Sequence, residues 1–442
     1  MGKSIILITI DCLRRDTAYN RRICPELSKF REKSKTFINA TSVGPATPYA
    51  FIGILTSTYP LMFGDENYFI REHNHRMSKK RKPLPEFLEE MGYATAGFHS
   101  NAYLSKYFGF DRGFQAFFDN QSLGGNKGRL ESQIHKRVSL LPASLYSLVK
   151  KIYRSVKKSP LRQTLDDAEI NRMAINWLEA RDIEKPFFLW MHYMGLHQPY
   201  VPGGKENDLD TRRLNNALTE YTRGNSVIQD EDLKKIKDLY EECAAEADSK
   251  LGQFLRYLEG KGLLDDSIVI ITSDHGDAFR EHGLMSHGGP LKEEADYLSM
   301  FHRELIDVPL VVYGEGEGIE KSPVSTLSLP PSIALSVGLQ PHLSWMGRDI
   351  FKKAEGGPQI SEGCIEGKKR IAAISNGQAK LIYNLENGKS LLFDLSQDPG
   401  EKTPAKDKPT EGQLLKKLLD HFENKKAIAE KMGKLEELGK SF

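Results

Sequence analysis

Short apolar runs rich in β-branched residues alternate with amphipathic segments over about the first 340 residues, and this alternation limits the possible folds most. Ser4–Ile10 reads SIILITI and Ser267–Thr272 reads SIVIIT. Such runs, without polar alternation, are typical of strands that are buried on both faces of a parallel sheet. Strands that alternate with helices predict an α/β domain with a mainly parallel sheet flanked by helices.

The remaining elements divide the chain into two parts. Further strands are predicted at 36–40, 94–98, 186–193 and 308–312, and helices at 25–35, 50–55, 85–91, 165–180 and 232–259. Later, short strand-like runs at 370–375, 379–384 and 390–395 are separated by two Asn-Gly pairs, which indicate hairpins. A terminal helix is predicted at 411–431. We therefore expect a large domain over 1–348 and a small C-terminal domain over 349–442, an antiparallel sheet with a helix.

Composition excludes several classes of protein. With 442 residues and 39% hydrophobic residues, the chain can bury a large core, and it is neither mostly disordered, collagen-like nor a coiled coil. Its four cysteines form no CxxC pair, which argues against a disulfide framework or a zinc finger. No apolar run approaches the roughly 20 residues that span a bilayer, and the N-terminus does not resemble a signal peptide. We expect a cytoplasmic protein.

The formal net charge of +2 conceals an uneven distribution. The segment 121–163 contains ten Lys or Arg and one Glu, a net charge of +9, so the rest of the chain carries −7. Apolar residues at near-helical spacing between 140 and 156 suit a helix on an anionic membrane surface. Docking on a polyanion or another protein, and an exposed helix with a solvated basic face, are the alternatives.

Polar residues that could carry chemistry follow two of the predicted strands. Asp11 comes directly after the first strand, and Asp274 and His275 follow Ser267–Thr272. In open α/β sheets ligands bind at the carboxyl ends of strands. Two carboxylates and an imidazole suit a divalent cation. The alternative is that the two aspartates only cap turns.

Thr47 is a third candidate, because it precedes an apolar helix. A hydroxyl at a helix N-terminus lies beside backbone donors and the positive end of the dipole, where an anionic group can bind. Bound to a metal, that hydroxyl would become a nucleophile. The alternative is a threonine that only caps the helix.

Seven segments in chain order resemble motifs of the sulfatase branch of the alkaline phosphatase superfamily. They are 11–16 (D-x-L-R-x-D), 47–60 (the nucleophile segment, ending in Y-P), 92–101 with 108–114 (G-F-D-x-G-F), 197–202 (H-x-P-Y-x-P), 273–277 with 281–283 (S-D-H-G and E-H-G), 308–310 (V-P-L) and 393–401 (Y-D-L…D-P-x-E). They cover nearly the whole chain except the basic segment.

The resemblance implies roles for particular residues. Asp11, Asp274 and His275 would hold one divalent metal ion, with Mn²⁺, Mg²⁺, Zn²⁺ and Ca²⁺ as candidates, and Thr47 would be the nucleophile. His197 and His287 would contact the transferred group or protonate the leaving group, or would be weak ligands of a second metal ion. His99 and Asn101 follow a third strand and are expected to line the pocket, although His99 as a core histidine is an equal alternative. His192 and Cys12 are interpreted as structural.

Departures from the family pattern define the expected reaction. Thr47 occupies the position of the cysteine that sulfatases convert to formylglycine, and Phe51 that of the signature arginine. Cys12 replaces a second metal-binding aspartate, and Gly195 stands where many relatives have aspartate. We expect attack on phosphorus in a phosphodiester, phosphonate or phosphomonoester. The alternatives are a sulfatase without formylglycine and a non-catalytic binding protein.

The expected partner is an anionic ester substrate, with glycan-linked and lipid-linked esters as candidates. Peripheral contact with an anionic membrane surface through 121–163 is a further expectation. No sequence-specific binding of nucleic acid is expected.

Overall fold

A large mixed sheet forms the centre of the protein in the computed structural model, which describes residues 2–63, 76–119, 164–289, 294–352, 357–365 and 369–439. Its strands are β1 (Ser4–Ile10), β2 (Lys35–Thr41), β3 (Ala94–Phe98), β4 (Ala116–Phe118), β5 (Phe187–Tyr193), β6 (Ser267–Thr272), β7 (Asp307–Tyr313), β8 (Gly318–Glu320) and β9 (Val324–Ser325). The order is β4-β3-β5-β1-β6-β7-β2-β8, and β9 also pairs with β2. The five strands from β4 to β6 are parallel.

Helices cover both faces of this sheet. They are α1 (Arg15–Ala18), α2 (Pro25–Arg31), α3 (Thr47–Thr56), α4 (Leu84–Glu90), α5 (Asp167–Ala180), α6 (Leu209–Thr222), α7 (Asp230–Gly260), α8 (Glu294–Ser299), α9 (Arg303–Ile306) and α10 (Leu329–Ser336). Successive side chains of a strand point to opposite faces. Accordingly, Ile6 and Ile8 pack in the core that contains α5 and α7, while Ile5 and Leu7 pack in the core that contains α3 and α10. The central strands are therefore buried on both faces.

The C-terminal part is a four-stranded antiparallel sheet with a long helix. The strands β10 (Gln359–Ile365), β11 (Lys369–Ser375), β12 (Ala379–Asn384) and β13 (Ser390–Asp394) pair in sequence order, and α11 (Lys408–Gly439) follows. One apolar cluster joins Val43 and Tyr59 of the large part to Leu381 and Leu414 of the small part. The small sheet thus packs directly on the segments that flank α3.

The predicted fold class is confirmed, with local differences. The strand predicted at 308–312 is β7, which runs antiparallel to both β6 and β2, so the sheet is mixed beyond β6. Nine of the described elements were not predicted, namely the strands β4, β8, β9 and β10 and the helices α1, α6, α8, α9 and α10. The segment β10 reads QISEGCI, and its polar residues concealed a strand that is buried throughout. The predicted boundary at 348 falls between α10 and β10, and the basic segment 121–163 lies outside the described residues.

Candidate metal and nucleophile site

The two predicted acidic positions meet at the carboxyl edge of neighbouring strands. β1 and β6 pair in parallel, so the residues that follow them emerge side by side. Ligand atoms of Asp11, Asp274 and His275 all lie within 4.8 Å of one another, and all three residues are buried. The sequence analysis predicted this group of three residues, and the pairing of two strands 260 residues apart along the chain brings it together.

The donor atoms of this group suit a divalent cation. His275 Nδ1 donates to the carbonyl of Gly276 at 2.7 Å, which leaves Nε2 available. That Nε2 lies 3.6 Å from Asp274 Oδ2 and 3.9 Å from Asp11 Oδ1. Asp274 Oδ2 is buried and has no hydrogen-bond partner among the described residues. Since a buried anionic oxygen without a partner is unfavourable, the group fits a bound cation.

No lysine or arginine in the described part of the chain forms an ion pair with either aspartate. Asp11 instead accepts hydrogen bonds from uncharged or imidazole donors. Asn101 Nδ2 donates to Asp11 Oδ2 at 3.0 Å, and His192 Nε2 lies 3.3 Å from the same oxygen. Burial alone would raise the pKa of Asp11, but the hydrogen bond from His192 and the nearby imidazoles hold it well below its usual range. Asp11 is therefore ionised, as a ligand of a divalent cation would have to be.

His192 thus lies in contact with a predicted metal ligand, although it was interpreted as structural. Its Nδ1 is 3.0 Å from Thr9 Oγ1, and Trp190 Nε1 donates to the same hydroxyl at 3.1 Å. The register of β1 on β5 sets Thr9 opposite His192. That register brings together residues that are 183 positions apart in the chain, and no local sequence motif indicates the contact.

Thr47 is the first residue of α3, and its side chain faces the cluster. The N-cap residue is Ala46, with no side-chain cap, so the alternative role of Thr47 as a helix cap does not hold. Thr47 Oγ1 lies 3.2 Å from His275 Nε2, and the residue is 5% exposed. All ten residues of α3 are buried, so this helix N-terminus opens onto the site and not onto solvent.

His197 and His287 lie together on the outer side of the cluster. Their ring centroids are 5.2 Å apart, and the His287 ring is 4.6 Å from that of His275. His287 Nδ1 is 3.2 Å from Asp277 Oδ1. Burial alone would lower the pKa of His287, but the charge of Asp277 raises it to about 9. Burial lowers the pKa of His197.

Asp277 was not predicted as a site residue, although it lies within the motif that supplied its neighbours. It is fully buried, and Tyr200 donates its hydroxyl hydrogen to Oδ2. The carbonyl of Asp277 accepts from Arg14 at 3.0 Å. These contacts fix the carboxylate that faces His287. The sequence signal that could have identified Asp277 was its position in the motif, three residues after Asp274.

A cavity of about 370 Å³ adjoins the two histidines. Its walls come from the segment after β5, from α6 and from the loop that contains His287. The lining residues besides the two histidines are Gln198, Pro199, Asn215, Asn216, Thr219, Thr222, Ser286 and Gly288. Amides and hydroxyls therefore dominate, and no lysine, arginine or carboxylate lines this cavity among the described residues.

His99 lies apart from the metal group. It is fully buried, and its ring packs 5.1 Å from Trp190 and 5.2 Å from Phe117, measured between centroids. Neither ring nitrogen has a hydrogen-bond partner among the described residues. Burial lowers the pKa of His99 to about 3, so the ring is neutral. This position agrees with the alternative of a core histidine, whereas Asn101 contacts Asp11 directly.

Gly195 stands where a second-metal aspartate was expected in relatives, and the structure gives the steric reason for glycine. A Cβ at this position would lie 2.3 Å from Asp167 Oδ2 of α5. Asp167 Oδ1 also accepts from the backbone of Gly195 at 3.2 Å. The carboxylate of another element therefore occupies the space that a side chain at 195 would need.

The membrane hypothesis rests on 121–163, which the structure does not describe. Among the described residues no helix is both long enough and apolar enough to cross a bilayer.

Comparisons with known proteins identify the family of the chain. The Sulfatase family model matches residues 3–336. The low-salt glycan biosynthesis sulfotransferase Agl7 of Haloferax volcanii is 31% identical over 199 residues, 45% of this chain and 40% of that protein. An arylsulfatase of Clostridium perfringens is 24% identical over 257 residues, 52% of this chain and 51% of that protein. The matches therefore span about half or less of these relatives.

Solved structures share the fold over nearly the whole chain. The phosphonate monoester hydrolase of Agrobacterium radiobacter superposes with a TM-score of 0.69 at 19% identity, covering 96% of both chains. A 2-O GAG sulfatase gives the same TM-score at 14% identity, covering 97% of this chain and 93% of that one. Since the family model alone covers about three quarters of the sequence, the chain belongs to the sulfatase family.

Proposed function

We propose that this protein is a metal-dependent hydrolase of phosphorus esters that uses Thr47 as its nucleophile. The observation that carries the proposal is the position of Thr47 Oγ1, 3.2 Å from His275 Nε2 at the buried N-terminus of α3. Threonine cannot become formylglycine, so the usual sulfatase nucleophile is unavailable. Its hydroxyl suits in-line displacement at phosphorus.

Asp11, Asp274 and His275 would hold the divalent cation, with Thr47 beside it. When bound there, the cation neutralises charge on the non-bridging oxygens and lowers the pKa of the threonine hydroxyl. The N-terminus of α3 adds backbone N–H groups and the positive end of a dipole on the side where the anionic group would lie. These features together favour a tetrahedral anion bound against Thr47.

The proposed reaction has two displacements. Thr47 Oγ loses its proton to solvent and forms a bond to phosphorus while the bond from phosphorus to the alcohol oxygen breaks. His287 donates a proton to the departing oxygen, and its contact with Asp277 orients the ring. His197 contacts the transferred group. Water then attacks phosphorus and passes a proton to His287, the Oγ–P bond breaks, and Thr47 Oγ takes a proton from solvent.

The cavity beside His197 and His287 would receive the alcohol portion of the ester. Its amide and hydroxyl lining supports a neutral polyhydroxylated group, and hence a glycan-linked ester over a lipid-linked one. The resemblance to Agl7, which is named as a glycan biosynthesis sulfotransferase, also supports a glycan-linked substrate. Transfer of the phosphoryl group to an acceptor other than water is compatible with this cavity.

The test is a panel of aryl phosphate monoesters, phosphate diesters, phosphonates and sulfates, each with Mn²⁺, Mg²⁺, Zn²⁺ or Ca²⁺. We expect phosphorus esters to be hydrolysed, and Thr47→Ala to lower kcat by at least about 10³-fold. Thr47→Ser should keep measurable activity. Thr56→Ala, the same change at the other end of α3, serves as the control.

Acid-quenched wild-type enzyme should carry one phosphoryl group on Thr47, detected by mass spectrometry of the peptide. Two results would overturn the proposal. One is hydrolysis of sulfates with all phosphorus esters inert. The other is equal rates for wild type and Thr47→Ala on every substrate.

A further inference from the structure

A second group of potential ligands overlaps the first at one residue. Ligand atoms of Cys12, His275 and His287 also lie within 4.8 Å of one another. Cys12 Sγ is 2.9 Å from Asp11 Oδ1 and 3.6 Å from His287 Nδ1. Cys12 thus places sulfur against the carboxylate that belongs to the first group. The sequence analysis had interpreted this cysteine as packing.

The shared residue indicates one ion and not two. The Nδ1–H group of His275 donates a hydrogen bond to the carbonyl of Gly276, so the lone pair that can bind a metal is on Nε2. One lone pair can bind only one ion. That nitrogen lies 3.6 Å from Asp274 Oδ2 and 3.9 Å from Asp11 Oδ1. Because Cys12 Sγ adjoins Asp11 Oδ1, the thiol would be within reach of an ion held by these atoms.

The backbone of Cys12 is fixed in an unusual conformation. Its φ is +59°, in the left-handed region that non-glycine residues rarely adopt. The carbonyl of Cys12 accepts a hydrogen bond from Tyr240 at 2.9 Å, which holds the residue in place. Strain of this kind persists where the surrounding structure imposes it, and it clusters at functional sites.

An independent observation points to a ligand at this position. Asp274 Oδ2 is completely buried, yet it has no hydrogen-bond partner among the described residues. It lies 3.6 Å from His275 Nε2. The unsatisfied oxygen and the thiol therefore belong to two ligand groups that share His275.

We propose that Cys12 is a sulfur ligand of the cation, and that the site therefore takes a thiophilic ion of the Zn²⁺ type. Ca²⁺ and Mg²⁺ prefer oxygen ligands, whereas thiolates favour Zn²⁺ and similar ions. On binding, the Cys12 S–H bond breaks, the proton passes to solvent and the sulfur electron pair forms the bond to the metal. The proposal rests on the cation site of the proposed function and not on the chemistry of Thr47.

The first experiment uses metal-free wild type titrated with Co²⁺. A thiolate ligand gives a charge-transfer absorption in the near ultraviolet, and we expect this band to saturate at one ion per chain with release of a proton. Cys12→Ser should bind Co²⁺ without the band and bind Zn²⁺ at least about 10-fold more weakly. Cys24→Ser changes another buried cysteine, the N-cap of α2, and should keep the band.

A second measurement needs no variant, so it decides the question even if Cys12→Ser fails to fold. X-ray absorption of the zinc-loaded wild type should show one sulfur neighbour at about 2.3 Å. Only nitrogen and oxygen neighbours, or a cobalt band that survives in Cys12→Ser, would overturn the proposal. Neither readout uses hydrolysis. Sulfur ligation without phosphorus-ester activity would sink the proposed function alone, and the reverse result would sink this inference alone.

Discussion

Buried carboxylates lie in both parts of this molecule, and two of those in the C-terminal part pair with buried lysines. There, Glu362 of β10 accepts from Lys425 of α11 at 2.6 and 2.7 Å, and Glu401 accepts from Lys380 of β12 at 2.8 and 2.9 Å. All four side chains are at most 4% exposed. Each anion is therefore neutralised within the chain.

The carboxyl edge of the large sheet is different. Asp11 and Asp274 are completely buried, and their partners among the described residues are amide, thiol, imidazole and backbone groups. Burial of a charge without a counter-ion is strongly unfavourable. Buried acids that pair with lysine thus join two elements of the C-terminal part, whereas Asp11 and Asp274 have no lysine or arginine partner among the described residues and suit a cation site.

The largest effect is expected from a variant that disrupts the cation site. Asp274→Asn should lower hydrolysis by about 10³-fold or more, because the ion contributes several kcal/mol of transition-state stabilisation. In the presence of chelator the same variant should be as stable as wild type or more stable, since it removes a charge without a partner. Kinetics and urea unfolding measure the two effects.

Asp265→Asn is the matched control, because Asp265 is exposed near the opposite end of β6. It should change neither property. A chelated Asp274→Asn that unfolds several kcal/mol more easily than chelated wild type would contradict the distinction between the two regions.

The next effect breaks a lysine-paired acid. Glu362→Gln should destabilise the protein by about 3–5 kcal/mol, because it removes the carboxylate that neutralises the buried Lys425 ammonium. Metal stoichiometry should not change. The double variant Glu362→Gln with Lys425→Met should recover part of the loss. Urea unfolding monitored by circular dichroism gives the free energies.

Glu386→Gln provides the comparison within the same sheet. Glu386 pairs with Arg370 at 2.7 Å, but both side chains are at least 40% exposed. This change should alter stability by no more than about 1 kcal/mol. Equal losses of stability in Glu362→Gln and Glu386→Gln would show that burial of an ion pair does not increase the cost of breaking it.

The smallest effect is a dependence of stability on pH. Burial alone would raise the pKa of Glu401, but the charge of Lys380 holds it at about 2. The unfolded chain therefore binds a proton at higher pH than the folded one, so the pair's contribution is present above about pH 4.5 and is lost as pH falls towards 2. In Glu401→Gln the free energy of unfolding should fall less steeply as the pH is lowered, and the difference in slope should correspond to about one proton. Chemical denaturation between pH 2 and 5 measures this free energy. The prediction would be refuted if its slope against pH were the same in Glu401→Gln and wild type.

Several features of the site could be predicted from the sequence because they depend on local order. Asp11 and Asp274 each follow an apolar run, and strands of a parallel sheet end at the same edge. The position of Thr47 before an apolar helix was equally local. Their contacts with His275 required only that β1, β6 and the start of α3 be neighbours.

Other features depended on register and packing between distant segments. The contact of His192 with Asp11 follows from the pairing of Thr9 with His192 across β1 and β5. The strand β10 was missed because Glu362 reads as a surface residue until Lys425 is brought against it. In the same way, Gly195 is explained only by the carboxylate of Asp167 in α5.

The sequence by itself determined the α/β class and identified Asp11, Asp274 and His275 as candidate ligands, because strand periodicity and the residues at strand ends are local properties. Only the tertiary structure decided the surroundings of these residues. It placed the thiol of Cys12 against Asp11, left Asp274 Oδ2 without a hydrogen-bond partner among the residues that the structure describes, and paired Glu362 and Glu401 with lysines. These differences arise from contacts across the whole chain, because a buried charge is stable or reactive according to what is packed beside it.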